Sequence, residues 1–342
     1  MSFNRLETSD FVQSSDAVSS TLWSTEIPAL TTFFSSSTQI AGSSGKFYLS
    51  VYQTASNLPS AKKQFDIAYG NFLGSGSLAY NSAVSNTSPT STIYGQFQDL
   101  ILGDENTDFT FGGVTVREFF TITFERARYK ESILPGSLTL KLTSGSNTLF
   151  LTDDSIVSTI AQYIGSNRVY QLISGSAGFK NTTINVNGYV NNSGSYGVLI
   201  PEIGTILLNP RALASTPVNG GMNFLYSASS ATMTPNISPN LSLFNAISGG
   251  ANFIINSNEN ITSNYLFIRA RSSEFNYSEN PSFISGSTGE IIFNSFINAP
   301  RTYITTVGLY NDTNELLAVA KLSRPLPKDF TKEALIRVKL DF

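Results

Sequence analysis

The chain of 342 residues contains no cysteine and no histidine. Without cysteine there are no disulfides, thiolate metal ligands or cysteine nucleophiles, and such a product suits folding in a reducing cytoplasm. Without histidine, Ser-His-Asp and Cys-His machinery, His-ligated zinc and the usual general base near neutral pH are excluded as well. Charge is scarce too. Asp, Glu, Lys and Arg make up 13% of residues, against roughly 25% in ordinary globular chains, so the polar surface falls to Ser, Thr, Asn and Gln. A net charge of -3 with no Lys/Arg run offers no field for a polyanion, and no nucleic-acid partner is expected. No run of about 18 apolar residues occurs, so no membrane insertion is expected. The opening MSFNRLETSD lacks the basic flank and apolar core of a secretory signal, and an unexported protein is expected.

What is present is apolar periodicity of the strand kind. Hydrophobic residues reach 41%, enough for a sizeable core. REFFTITFERARY sets Phe120, Ile122 and Phe124 on one face, SLTLKLT does the same with Leu138, Leu140 and Leu142, and Pro135-Gly136 reads as the turn between them. TVGLYNDTNELLAVAKL reads as a hairpin turning around Asn311 to Asn314, after which Pro325 and Pro327 are expected to lift the chain out of any ladder. IRVKLDF closes the sequence with Ile336, Val338, Leu340 and Phe342 alternating against Arg337, Lys339 and Asp341, a strand tied into a sheet or against a partner.

Helix signals are few. Ser238, Pro239 and the pair Gly249-Gly250 frame a helix with Leu243, Phe244 and Ile247 as its buried stripe; a weaker one starts at Asn209-Pro210, and a short one is expected over Ile156 to Ile164, stopped by Gly165. The expected fold is therefore mainly β, with β-sandwich-like sheets and a few short helices in a central insertion. Four regions follow: an N-terminal arm (1–45), a first β-rich region (46–176), an irregular insertion with short helices (177–250), and a second β-rich region ending in the C-terminal strand (251–342).

Candidate sites are sparse. Asp104, Asn106 and Asp108 match the first three ligands of a calcium loop, but Phe109 stands where that loop needs glycine and Thr115 where it needs a bidentate Glu, which makes a solvated acidic turn the better reading. Asp153 and Asp154 are adjacent and point apart in an extended segment. No phosphate-binding glycine loop occurs, and GSGS at 74–77 has linker composition. No catalytic, cofactor or metal residue is assigned. Surface-burying residues are the remaining candidates. They are Trp23, Phe33 and Phe34 in the polar arm, which can anchor it on the same chain or on another; the pairs Arg126/Arg128 and Arg269/Arg271, each at strand spacing and in need of carboxylates or a neighbour; and Ile336, Val338, Leu340 and Phe342.

The segments RARYKESILPGSLTLKLT, FLTDDS and RVYQLISGS, then FIRARSSEFNYSENPSFISGS, TYITTVGLYNDTNELLAVAKLSRP and KDFTKEALIRVKLDF, resemble virion structural proteins of large contractile-tailed bacteriophages, particularly those of marine cyanobacteria. The resemblance covers most of residues 115–176 and 251–342. It implies a non-enzymatic part of the particle, at the tail or baseplate, assembled in the host cytoplasm, with other virion proteins and further copies of itself as partners. A glycan- or receptor-binding fibre or decoration module is the alternative, favoured by Tyr- and Asn-rich loops.

Overall fold

The structure is a computed structural model that describes residues 4–35, 48–74, 90–183, 185–190, 192–214, 220–222, 239–278 and 281–341. Strands dominate. The first half carries β1 (Phe11–Thr21), β2 (Ala29–Leu30), β3 (Phe34–Ser35), β4 (Tyr48–Tyr52), β5 (Lys63–Asn71), β6 (Thr110–Phe111), β7 (Val114–Thr115), β8 (Glu118–Phe124), β9 (Ser132–Ile133), β10 (Thr139–Ser144) and β11 (Asn147–Asp153). There follow β12 (Gln162–Ile164), β13 (Asn167–Ser176), β14 (Phe179–Lys180), β15 (Gly197–Ile200), β16 (Thr205–Leu208), β17 (Phe253–Ile254), β18 (Asn256–Ala270), β19 (Thr302–Tyr310), β20 (Leu316–Lys328) and β21 (Ala334–Asp341). Among the described residues four short α-helices join them: α1 (Thr90–Leu102), α2 (Pro210–Leu213), α3 (Pro239–Gly250) and α4 (Asn294–Asn298). The chain divides into two compact units, residues 18–259 and residues 1–17 with 260–342.

The larger unit is built on a 13-stranded antiparallel sheet ordered β2-β17-β10-β11-β13-β15-β16-β8-β5-β4-β3, with β12 and β14 attached to β13. Its two ends, β2 and β3, are separated by residues 31–33 alone. Four residue steps span at most about 14 Å, so the sheet must curl until its ends nearly meet. Curling creates an enclosed side. Phe65, Ile67, Phe120, Ile122, Phe124, Leu138, Leu140, Leu142, Leu151, Leu199, Ile206 and Leu208 fill it, together with Leu243 and Ile247 of α3. The side chains between them face the other way and meet α1. Phe119, Val198, Ile200 and Leu207 pack there with Tyr94, Ile101, Phe109 and Phe111. Because β15 and β16 are covered on both faces, they are buried at every position, the continuous apolar run expected of strands with no solvent side.

The segment 177–250 does contain the short helices α2 and α3, yet it also supplies β15 and β16 to the middle of the sheet. It is not an insertion outside the sheet. Asn209 caps α2 by accepting from the amides of Arg211 and Ala212. Pro239 opens α3 and Leu243 and Ile247 are buried along it, while Ser238 lies outside the described residues. The helix expected over 156–164 is absent. Residues 162–164 form β12, and Gly165, at φ +60, turns the chain into β13 with Ile164 facing Asn167. A positive φ serves a two-residue hairpin as well as a helix stop, so the glycine alone did not discriminate.

In the smaller unit β18 lies between β1 and β21. The β18/β21 ladder runs from Ser263 opposite Asp341 to Ala270 opposite Ala334. Separately, β19 and β20 form a two-stranded ribbon. Asn311 Oδ1 accepts from the amides of Thr313 and Glu315 and closes its turn where the sequence placed it. At Pro325 the ladder is interrupted: Ile304 faces Leu326 and Thr306 faces Lys321, so Leu322–Pro325 have no partner in the register. Pro327 is in register opposite Tyr303, and a second irregularity falls between Leu309 and Tyr310. At the end of β20, Lys328 is fully buried. Its Nζ donates to the carbonyls of Ser272 and Asp329 and to Asn276 Oδ1, at 2.9, 3.1 and 2.9 Å, so all three of its protons find acceptors.

Candidate interaction surfaces

The aromatic anchors of the arm divide between interior and edge. Trp23 is 2% exposed, with its ring centroid 5.0 Å from Phe253, 6.1 Å from Phe124 and 6.2 Å from Phe65. Its indole Nε1 donates to the Phe253 carbonyl at 2.9 Å. Phe33 is buried beside Phe65. Both side chains serve the core of their own unit and leave nothing for a partner. Phe34, on the end strand β3, is 42% exposed.

The arginine pairs do not form two matching strand faces. Residues 126–128 make a 3-10 turn. Arg126 donates to the carbonyls of Tyr129 and Lys130 and stacks over the Tyr129 ring at 4.6 Å, so backbone carbonyls take the place of the expected carboxylates. Arg128 lines a small pocket, and its Nε is buried without a hydrogen-bond partner among the described residues. Arg269 sits near the end of β18 and pairs with Glu333 at 2.7 Å, both side chains largely exposed, an arrangement of small energetic weight. Arg271 lies past the strand end, where its amide donates to Glu274.

The C-terminal strand alternates as its sequence dictates. Val338 and Ala334 are buried, Ile336 and Leu340 half-buried, and Arg337, Lys339 and Asp341 exposed. Its ladder partner belongs to the same chain. Phe342 lies outside the described residues.

The β19-β20 ribbon leaves much of its apolar surface in solvent. Half-buried Ile304, Val307, Leu309, Leu322 and Leu326 line one side. The other shows Tyr303 (59% exposed), Leu317 (68%) and Val319 (60%). Not one apolar side chain in either strand is fully buried. Among the described residues β19 pairs with β20 alone. Its sequence TYITTVGLY holds neither charge nor proline, the features that normally blunt a free edge.

One buried acid, Glu118, escaped the sequence reading because its partners are remote. Glu118 accepts from the Tyr69 hydroxyl at 2.9 Å and from Arg211 Nε at 3.3 Å. Burial raises its carboxyl above the ordinary value despite those donors, and burial followed by the nearby carboxylate pushes the Tyr69 hydroxyl well up. Asp153 accepts from the Gly136 amide at 2.8 and 3.0 Å and from that of Ser155, so it holds the Pro135-Gly136 turn. Asp154 accepts from the Gln171 amide at 2.9 Å, and burial, aided by Asp153, pushes its carboxyl up to about 6. Each of these carboxylates is held by donors of its own unit. In the acidic turn, Asp104 accepts from Asn106 and Thr107 of its own turn and Asp108 pairs with Arg117. No family model, curated protein or solved structure matches this chain.

Proposed function

We propose that the chain is a non-enzymatic structural component of a phage virion, at the tail or baseplate, that works by burying surface against neighbouring subunits. The ribbon is the observation that carries this reading. A two-stranded hairpin is marginal in water unless a third strand or a packed face supports it, and here both strands keep their apolar side chains at least partly in solvent. An uncharged edge of nine residues, Thr302–Tyr310, offers main-chain groups to one more strand. The neighbour we assign to it is a strand of another virion subunit. The resemblance of residues 251–342 to virion structural proteins of contractile-tailed phages supports a place in the particle.

Proteomics of purified particles, with native mass spectrometry of the isolated full-length chain, tests the reading. The chain is expected in the particle at fixed stoichiometry, and its absence would overturn the proposal. A second reading, a glycan-binding module, is favoured by Tyr277 and Tyr303, both mostly exposed in the smaller unit. Glycan-array binding lost in Tyr277→Ala or Tyr303→Ala would favour that reading.

A further inference from the structure

Among the cations around the turn at residues 126–130, one stands apart. Arg126 has two carbonyls and a ring face. Lys130 Nζ is held by Glu259 at 2.9 and 3.0 Å. Arg128 takes part in none of the described ion pairs, and its Nε meets no acceptor among the described residues while buried. A buried N–H on a charged group without an acceptor is costly and rare enough to need a reason.

The reason lies beside it. Arg128 lines a pocket of about 270 Å³ with Ser20, Ala127, Tyr129, Lys130, Ser257 and Glu259, all within the larger unit. Two cations and one carboxylate leave the pocket with one uncompensated positive charge. Ser20 Oγ and Ser257 Oγ lie 2.9 Å apart, and Ser257 Oγ also donates to the Ser20 carbonyl at 3.3 Å; both hydroxyl protons can rotate to an incoming acceptor. We propose that this pocket is an oxyanion site, taking a small phosphate- or carboxylate-type group against Arg128, with the serine hydroxyls and Lys130 as further donors. The planar guanidinium fork suits two oxygens of one group, which a chloride ion cannot supply. The site is independent of whether the chain assembles.

The test is calorimetric titration of the full-length chain with inorganic phosphate, with acetate and with a short Glu-rich peptide, against sodium chloride at equal ionic strength. Saturable phosphate or acetate binding, weakened roughly 10- to 100-fold in Arg128→Gln and less in Lys130→Gln, supports a site for a free anion. Binding of the peptide alone, lost in Arg128→Gln, supports the same site filled by a side chain of a neighbouring protein. Absence of binding beyond that of chloride, or equal binding by wild type and a folded Arg128→Gln, overturns the proposal. Because the wild-type titration is decisive by itself, poor folding of a variant leaves the proposal testable.

Discussion

Replacing Asp154 by asparagine should make the larger unit more stable at neutral pH and leave it nearly unchanged in acid. The side chain is buried, and its carboxyl is pushed from the ordinary 3.8 up to about 6. Between those values the folded chain keeps a proton that the unfolded chain has released, so stability falls as pH rises through that window. Below about pH 4 both states are protonated and no penalty exists; above about pH 7 the penalty is complete, at up to about 3 kcal/mol. Asparagine cannot ionise, yet its Oδ1 can still accept from the Gln171 amide, the contact that Asp154 makes at 2.9 Å. The difference between variant and wild type should therefore grow from near zero at pH 4 to at most about 3 kcal/mol at pH 8. Contributions from carboxylates that do not interact with Asp154 cancel in this difference, which leaves the adjacent Asp153 as the one coupled group. Urea unfolding at a series of pH values measures it, with Trp23 as reporter, since it is the sole tryptophan and lies buried in the same unit. A difference independent of pH, or one favouring aspartate at pH 8, would refute the reasoning.

Other substitutions probe other parts. Trp23→Ala removes a ring packed on three phenylalanines and its hydrogen bond to the Phe253 carbonyl; a loss of about 3–5 kcal/mol is expected in urea unfolding followed by circular dichroism. Gly250→Ala places a Cβ 1.9 Å from the Lys141 carbonyl oxygen, where α3 sits on β10, and the same measurement should show a loss of at least about 1–3 kcal/mol. Lys328→Met leaves Asn276 Oδ1 without its buried donor and takes one of two donors from the Ser272 carbonyl. A lower melting temperature of the smaller unit is expected, equivalent to roughly 1–3 kcal/mol. Val307→Lys on β19 should leave the melting temperature of the isolated chain within a degree or two, since Val307 is only half-buried, while abolishing incorporation into particles.

Period-two patterns made much of the fold legible. Phe120, Ile122 and Phe124, the leucines at 138, 140 and 142, and the alternation of Ile336, Val338 and Leu340 all came through because one face of each strand is buried. Helix α1 did not. Its inward positions are Thr90, Tyr94, Gln98 and Ile101, two of them polar, so no apolar stripe marks it; Gln98 is tolerated inside because its Nε2 donates to the Thr107 carbonyl. The alternation in RAR suggested a strand, whereas the Arg128 amide bonds back to Glu125 and closes a 3-10 turn. Contacts such as Arg211 with Glu118, 93 residues apart, leave no local trace. The unsupported ribbon could be read only in part. Its strands and turn are local features, but that no third strand among the described residues pairs with them is a property of the folded whole.

The proposal of assembly through β19 is tested most directly by electron microscopy of the intact particle, with density assigned to this chain. The expected map shows a strand of a neighbouring subunit hydrogen-bonded along Thr302–Tyr310 and the ribbon's leucines and valines removed from solvent. A map in which that edge and both ribbon faces point into bulk water would contradict the account.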